Sequence, residues 1–189
     1  SVELYYSISE TMPIICRHSR VLSGKTAVYL TNAASASIDF SDSDFKYMNL
    51  HGAWIREKHI EMAEVKKGFQ GIESRRGASS PNENPFMAIM RKDAVEDFGE
   101  VYGFSLVYSG NFKMLLEAET YGTMRFQAGV NPHNFKWKLN KGEQFITPEL
   151  VMVYSKNGLG EMSRTFHRLY RRNLCRGIWR DKVRPILIN

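Results

Sequence analysis

Cysteine is scarce: Cys16 and Cys175 are the only two in 189 residues, and they lie far apart. Without C-x-x-C spacing or further partners, neither a zinc site nor a disulfide framework is provided for. Two buried or idle thiols are the ordinary explanation, and they suit a reducing, cytoplasmic setting. A single long-range bridge stays open on sequence grounds. No run approaches the ~20 consecutive apolar residues of a membrane-spanning helix. The opening Ser1-Val2-Glu3-Leu4-Tyr5-Tyr6 lacks an initiator Met, a basic leader and a cleavage site, so no signal peptide is visible. It reads as a strand, in a chain cut from something longer. His18, His51, His59, His133 and His167 form neither H-x-x-x-H nor H-E-x-x-H, which leaves a metal site without local support. The nucleophile elbow, the P-loop and the dinucleotide fingerprint are missing too.

What is present is an ordinary globular composition, long enough for one large domain or two small ones. The net charge of +6 is not spread evenly. Eight basic residues (Arg164, Arg168, Arg171, Arg172, Arg176, Arg180, Lys182, Arg184) face one acid, Asp181, in a stretch that carries +7. The other 168 residues therefore sum to about −1. A nucleic-acid binder pairs such a stripe with groove-reading or stacking residues at a recognisable spacing. None is evident, so nucleic-acid binding is disfavoured. A helix whose arginines meet carboxylates of a neighbouring domain or subunit, or water, is the simpler reading.

Up to about residue 154 the pattern is short runs of Val, Ile, Tyr, Phe and Thr between turn residues. Strands are expected at 2–7, 14–20, 26–32, 46–51, 69–74, 86–91, 101–108, 112–119, 124–130 and 150–154. The stretches Ile15 to Val21 and Thr26 to Thr31 alternate as if facing core and solvent by turns. Turn signals fall at Ser23-Gly24-Lys25, Ser109-Gly110-Asn111, Tyr121-Gly122 and Asn140-Lys141-Gly142-Glu143. This spacing predicts a mainly β protein, an antiparallel β-sandwich or barrel. The end differs. Leu159, Met162, Phe166, Leu169, Tyr170 and Leu174 recur at helical spacing, and Gly177 is placed to stop the run. The apolar run Val183 to Ile188 suits the first buried strand of a further domain.

Carboxylates cluster at Asp39, Asp42 and Asp44, and at Glu57, Glu61 and Glu64. Nothing sets one cluster opposite another as sugar hydrolysis requires. Asx-type turn bonds explain the first triplet. Read from its residues, the chain is not an enzyme by itself. Leu50-His51-Gly52-Ala53-Trp54-Ile55-Arg56-Glu57 stands out, because Trp beside Gly and Ala would offer a flat apolar face with a charged rim. Sugar rings stack on such faces. A core tryptophan beside a surface ion pair explains the same residues.

Several stretches together resemble the N-terminal region of bacterial α-galactosidases of glycoside hydrolase family 36. They are Ser37-Ile38-Asp39-Phe40, Asp42-Ser43-Asp44-Phe45, Leu50-His51-Gly52-Ala53-Trp54, Ile72-Glu73-Ser74-Arg75-Arg76-Gly77-Ala78-Ser79-Ser80, Asn84-Pro85-Phe86, Gly99-Glu100-Val101-Tyr102-Gly103-Phe104, Thr147-Pro148-Glu149 and Trp179-Arg180-Asp181-Lys182-Val183-Arg184-Pro185. In order, they cover nearly the whole chain. The resemblance implies a galactose-mutarotase-like β-supersandwich over 1–155, a linker helix over 156–178, and at 179–189 the start of the first strand of a (β/α)8 barrel. It implies a parent enzyme that hydrolyses α-galactosides such as melibiose and raffinose with retention, without a cofactor. Both catalytic aspartates would lie in the barrel beyond Asn189, so this chain alone would be inactive. Its partners would be α-galactoside oligosaccharides, the barrel, preceding strands and further copies in a homo-oligomer. Trp54 matches a tryptophan at the rim of the galactose pocket and is the substrate-contact candidate. Arg56 is a weaker one, more simply paired with Glu57 or Glu61. The family carries His and Gln where this chain has Pro81-Asn82-Glu83, which puts any contact there in doubt. The alternative reading is a free-standing carbohydrate-binding β-sandwich.

Overall fold

Along Phe112-Lys113-Met114-Leu115-Leu116-Glu117-Ala118, every second side chain is buried. That alternation is the signature of a strand with one face in a core. The computed structural model describes residues 1–79 and 81–188. In chain order its strands are β1 (Val2–Ile8), β2 (Ile14–Leu22), β3 (Val28–Leu30), β4 (Ala33–Phe40), β5 (Phe45–Ala53), β6 (Arg56–Glu64) and β7 (Gly68–Glu73). There follow β8 (Glu83–Arg91), β9 (Val101–Val107), β10 (Phe112–Ala118), β11 (Met124–Val130), β12 (Trp137–Leu139), β13 (Gln144–Ile146) and β14 (Glu149–Ser155). Helix α1 spans Gly158–Leu169.

The large sheet runs β1-β2-β14-β9-β8-β5-β6, with β13 also paired to β2, and the small one runs β4-β11-β10-β7. The named strands pair antiparallel throughout. Between the sheets Met87, Ile89, Phe104, Leu106 and Leu150 meet Phe112, Met114, Leu116 and Phe126. Phe104 stacks on Phe126 with ring centroids 4.1 Å apart. Each such side chain contributes roughly 1.5–3 kcal/mol by leaving water. The fold is the β-sandwich expected.

The large sheet has a second core on its other face. Ala88, Met90, Val101, Val151 and Val153 pack there against Met162 and Phe166 of α1. Strand β8 is thus covered on both faces, which is why Phe86-Met87-Ala88-Ile89-Met90 reads as a continuous apolar run rather than an alternation. Gly103 on β9 makes the helix fit: a Cβ there would lie 2.6 Å from the Phe166 ring. The first helical N–H groups are met by loop carbonyls, Leu159 bonding Val95 and Gly160 bonding Glu96.

Four strands lie outside the expected set. Strand β4 is built from Ala and Ser, which carry little strand preference, and it is held by close packing with Ser35 and Ala36 buried. Strand β6 is rich in charged residues and exposed at all nine positions. The short β12 and β13 are set by their partners β3 and β2. The expected alternation from Thr26 to Thr31 does not hold: β3 shrinks to three residues in a separate two-stranded ribbon, with Val28 and Tyr29 exposed. The helix also stops earlier than Gly177. Tyr170–Leu174 widen into a π-helical turn closed by Cys175 N–H to the Tyr170 carbonyl, and Cys175 is already extended.

Residues 178–180 make one 3-10 turn, and 181–188 adopt neither helix nor strand. Val183, Ile186, Leu187 and Ile188 are exposed there. Asn189 lies outside the described residues, as does Ser80. At the other end β1 is exposed along its length, and Val2, Leu4, Tyr6 and Ile8 form one uncovered apolar face.

Candidate functional site

Trp54 stands at the tip of the β5–β6 hairpin, where Ala53 pairs with Arg56 and the loop is Trp54-Ile55 alone. It is 81% exposed, so it is not a core tryptophan. The backbone that presents it is strained. Ile55, a β-branched residue, has φ +68°, and Lys58 has φ +62°. The Glu57 carboxylate accepts the Ile55 N–H at 3.0 Å and holds the turn in that shape.

Irregular pairing flanks this end of β5 on both sides. Toward β6, the register steps from His51↔His59 to Ala53↔Arg56, leaving one extra residue in β6. Toward β8, it steps from Asn49↔Met87 to His51↔Glu83, leaving two extra residues in β8. Bulges of this kind turn a strand and re-aim its side chains. Gly52 lies between them because a Cβ would meet the Arg56 carbonyl oxygen at 2.2 Å. Gly52 N–H instead donates to the Asn82 carbonyl at 3.2 Å, and His51 Nδ1 lies 2.8 Å from Glu83 Oε1.

Arg56 is exposed, and it forms no ion pair with Glu57 or Glu61, contrary to the pairing expected of it. Glu57 is occupied by the turn. Below the hairpin, a cleft of about 540 Å³ opens between β5, β6, β8 and α1, with Leu50, Ile60, Phe86, Phe166 and Tyr170 in its walls. The Tyr170 hydroxyl donates to Ser105 Oγ at 2.8 Å, and burial pushes its pKa up. Trp54 is not among the lining residues of this cleft.

The carboxylate clusters do not assemble a reacting pair. Asp39 binds Arg125 at 2.6 Å, Asp42 binds Arg91 at 2.7 Å, and Asp44 binds Lys92 at 2.9 Å. Asp44 N–H also donates to Asp42 Oδ1, the Asx-type bond expected of that turn. Arg91 bonds Glu100 at 3.0 Å as well and lies 4.0 Å over the Phe45 ring. The Asp42 carboxyl is held below its ordinary range mainly by the Arg91 hydrogen bond. Burial pushes Glu100 upward, yet hydrogen bonds from Tyr102, Arg91 and Tyr154 outweigh it and leave the net shift downward. Of the histidines, His51 and His59 are brought face to face across β5 and β6. Among the described residues no group of three or more metal-type ligands forms. Cys16 and Cys175 are both free, and burial, with Glu149 nearby, raises the Cys16 thiol to about 11.

Residues 1–140 match the model of the glycosyl hydrolase family 36 N-terminal domain. The chain belongs to glycosyl hydrolase family 36. Its residues 144–189 match the melibiase model. This family 36 chain is 50% identical over 189 residues to α-galactosidase AgaA of Geobacillus stearothermophilus, covering all of this chain and 26% of that protein. It is 42% identical to α-galactosidase Mel36A of Lactobacillus acidophilus, over 99% of this chain and 26% of the relative. It thus spans about a quarter of the length of these relatives and corresponds to the N-terminal region of family 36 α-galactosidases. The crystal structure of AgaA superposes with a TM-score of 0.95 at 49% identity, over 98% of this chain and 26% of that one. Variants of AgaA have been solved with stachyose and with raffinose. The galactosidase domain of the α-galactosidase–sucrose kinase AgaSK superposes at 0.94 with 32% identity, over 98% of this chain and 26% of that one.

The Gly-Ala-Trp segment made Trp54 legible in the sequence. The contact between His51 and Glu83 is not legible there, because it joins residues 32 apart in the chain, and the strain at Ile55 is not, because a β-branched residue gives no signal for a positive φ.

Proposed function

We propose that this chain is the non-catalytic supersandwich part of a retaining α-galactosidase and that Trp54 forms a wall of its galactose pocket. The observation that carries the reading is a large aromatic face, 81% exposed, on a tight hairpin turn held by the Glu57 carboxylate at the end of a strand paired to β8. An exposed tryptophan on a rigid turn offers its face to a ligand at little ordering cost. The indole would shield and stack on the sugar, while proton chemistry belongs to carboxylates of the barrel. The α-galactosides are oligosaccharides of the melibiose and raffinose type, as the AgaA complexes with raffinose and stachyose suggest.

The same reading includes a cytoplasmic protein, consistent with its two free cysteines. No helix among the described residues is long and apolar enough to cross a membrane. It also includes self-association, because an uncovered apolar face on β1, an edge strand, favours contact with other chains. The exposed arginines after Arg164 would meet acidic groups of the barrel.

The test is melibiose hydrolysis by the full-length gene product. Trp54→Ala lowers kcat/KM by about tenfold, the scale of losing ~1.4 kcal/mol of aromatic contact. An unchanged kcat/KM would refute the pocket-wall role. Saturable melibiose binding by the isolated chain, lost in Trp54→Ala, would favour a free-standing sugar-binding module.

A further inference from the structure

Strand β6 is an edge strand with all nine residues exposed, so it gives the Trp54 turn no footing of its own. Support must come from β8, the other neighbour of β5. Near the turn the ladder between them is interrupted, and residues 82–84 hold β5 by three separate bonds. Asn84 Nδ2 reaches the Leu50 carbonyl at 3.4 Å, and the Asn82 carbonyl accepts Gly52 N–H at 3.2 Å. The shortest is His51 Nδ1 to Glu83 Oε1, at 2.8 Å.

Glu83 is no ordinary surface acid. Its side chain is only 21% exposed, against 47% for His51, and its Oε2 is buried without a hydrogen-bond partner among the described residues. A carboxylate with one oxygen turned into the protein has little freedom to swing away, so the ordering cost that cancels most surface pairs is reduced. Glu83 opens β8, whose Met87 to Met90 are fully buried in the two cores. His51 lies three residues before Trp54.

We infer that Glu83 is a positioning residue for Trp54, acting through His51: it ties the exposed hairpin to the rigid strand β8 and fixes where the indole stands. This rests on the pocket-wall role of Trp54. The Glu83 carboxylate accepts the imidazole N–H directly. Trp54 then sits in place before substrate arrives, and the benefit is in binding rather than in the chemical step.

The test uses the full-length gene product and two readouts. In melibiose hydrolysis, Glu83→Ala raises KM about three- to tenfold, as a partly exposed charge-assisted hydrogen bond supports, with kcat within about twofold. Glu83→Gln stays near the parent, because its amide oxygen still accepts from His51. In a Trp54→Ala background, Glu83→Ala raises KM no further. The second readout is fluorine NMR of the protein carrying fluorotryptophan, with the Trp54 signal assigned by its loss in Trp54→Phe. Glu83→Ala shifts or splits that signal and Glu83→Gln does not. A parent-like KM with an unmoved signal overturns the inference, and so does a KM rise that persists without Trp54. If Trp54→Ala itself leaves kcat/KM unchanged, the pocket-wall role fails. The fluorine signal still decides the positioning: a moved signal sustains it and an unmoved one overturns it.

Discussion

Replacing Ile55 by glycine should make the protein more stable while making its hairpin less definite. Ile55 holds φ +68° with a branched Cβ, in a region that costs an L residue about 1–2 kcal/mol. Its side chain is 73% exposed, so truncation forfeits little burial. Glycine removes the steric cost and returns about 0.5–1 kcal/mol through the greater freedom of its unfolded chain. The net gain is about 0.5–1 kcal/mol, or roughly 1–4 °C in melting temperature for a domain of this size. Scanning calorimetry on Ile55→Gly, with Ile55→Ala as control, measures it. Alanine keeps a Cβ in the same region and gains little. Equal behaviour of the two variants, or a lower melting temperature for glycine, would refute the strain argument. If the strain also orients Trp54, Ile55→Gly raises KM for melibiose in the full-length product while it raises the melting temperature.

Gly103→Ala forces a Cβ into the Phe166 ring and should cost about 1–3 kcal/mol by urea denaturation. The cost should shrink in a Phe166→Ala background, and an equal cost in both would separate the two residues. Asp42 and Glu100 have lowered folded pKa values, so the stability they add is present above their unfolded pKa and lost as pH falls through the folded values. The stability gap between the parent and Arg91→Gln is therefore full at neutral pH and narrows below about pH 4. A gap that stays constant from neutral to acid pH would count against Arg91 as the cause.

Strands with one wet face were the most legible. Met124–Val130 is found at its expected ends, because the buried Met124, Phe126 and Ala128 alternate with the more exposed Arg125 and Gln127. Strand β4 escaped notice because Ala33-Ala34-Ser35-Ala36 has neither branched residues nor alternation, and its pairing with β11 is a tertiary fact. Strand β6 escaped because charge at an exposed edge looks like loop. Helix α1 is legible from Met162 and Phe166, but its end is not: a π-helical turn leaves no local sequence mark, and Gly177, the local stop signal, lies two residues past the break. Trp54 is singled out as a candidate by its neighbours in sequence. Its brace was hidden, since Glu83 reaches His51 only once β5 and β8 lie side by side.

Strand β8 has a consequence for how this molecule comes apart. Met87 and Ile89 belong to one core and Ala88 and Met90 to the other, so a single stretch of backbone is the party wall of both. Neither compartment can open without stripping a wall from its neighbour. The slowest-exchanging amides should then lie along 87–90, and undocking of α1 should register in the sandwich interior as a loss of protection there. Because Glu83 begins that same wall, opening of the wall along 87–90 should also release the hairpin above it.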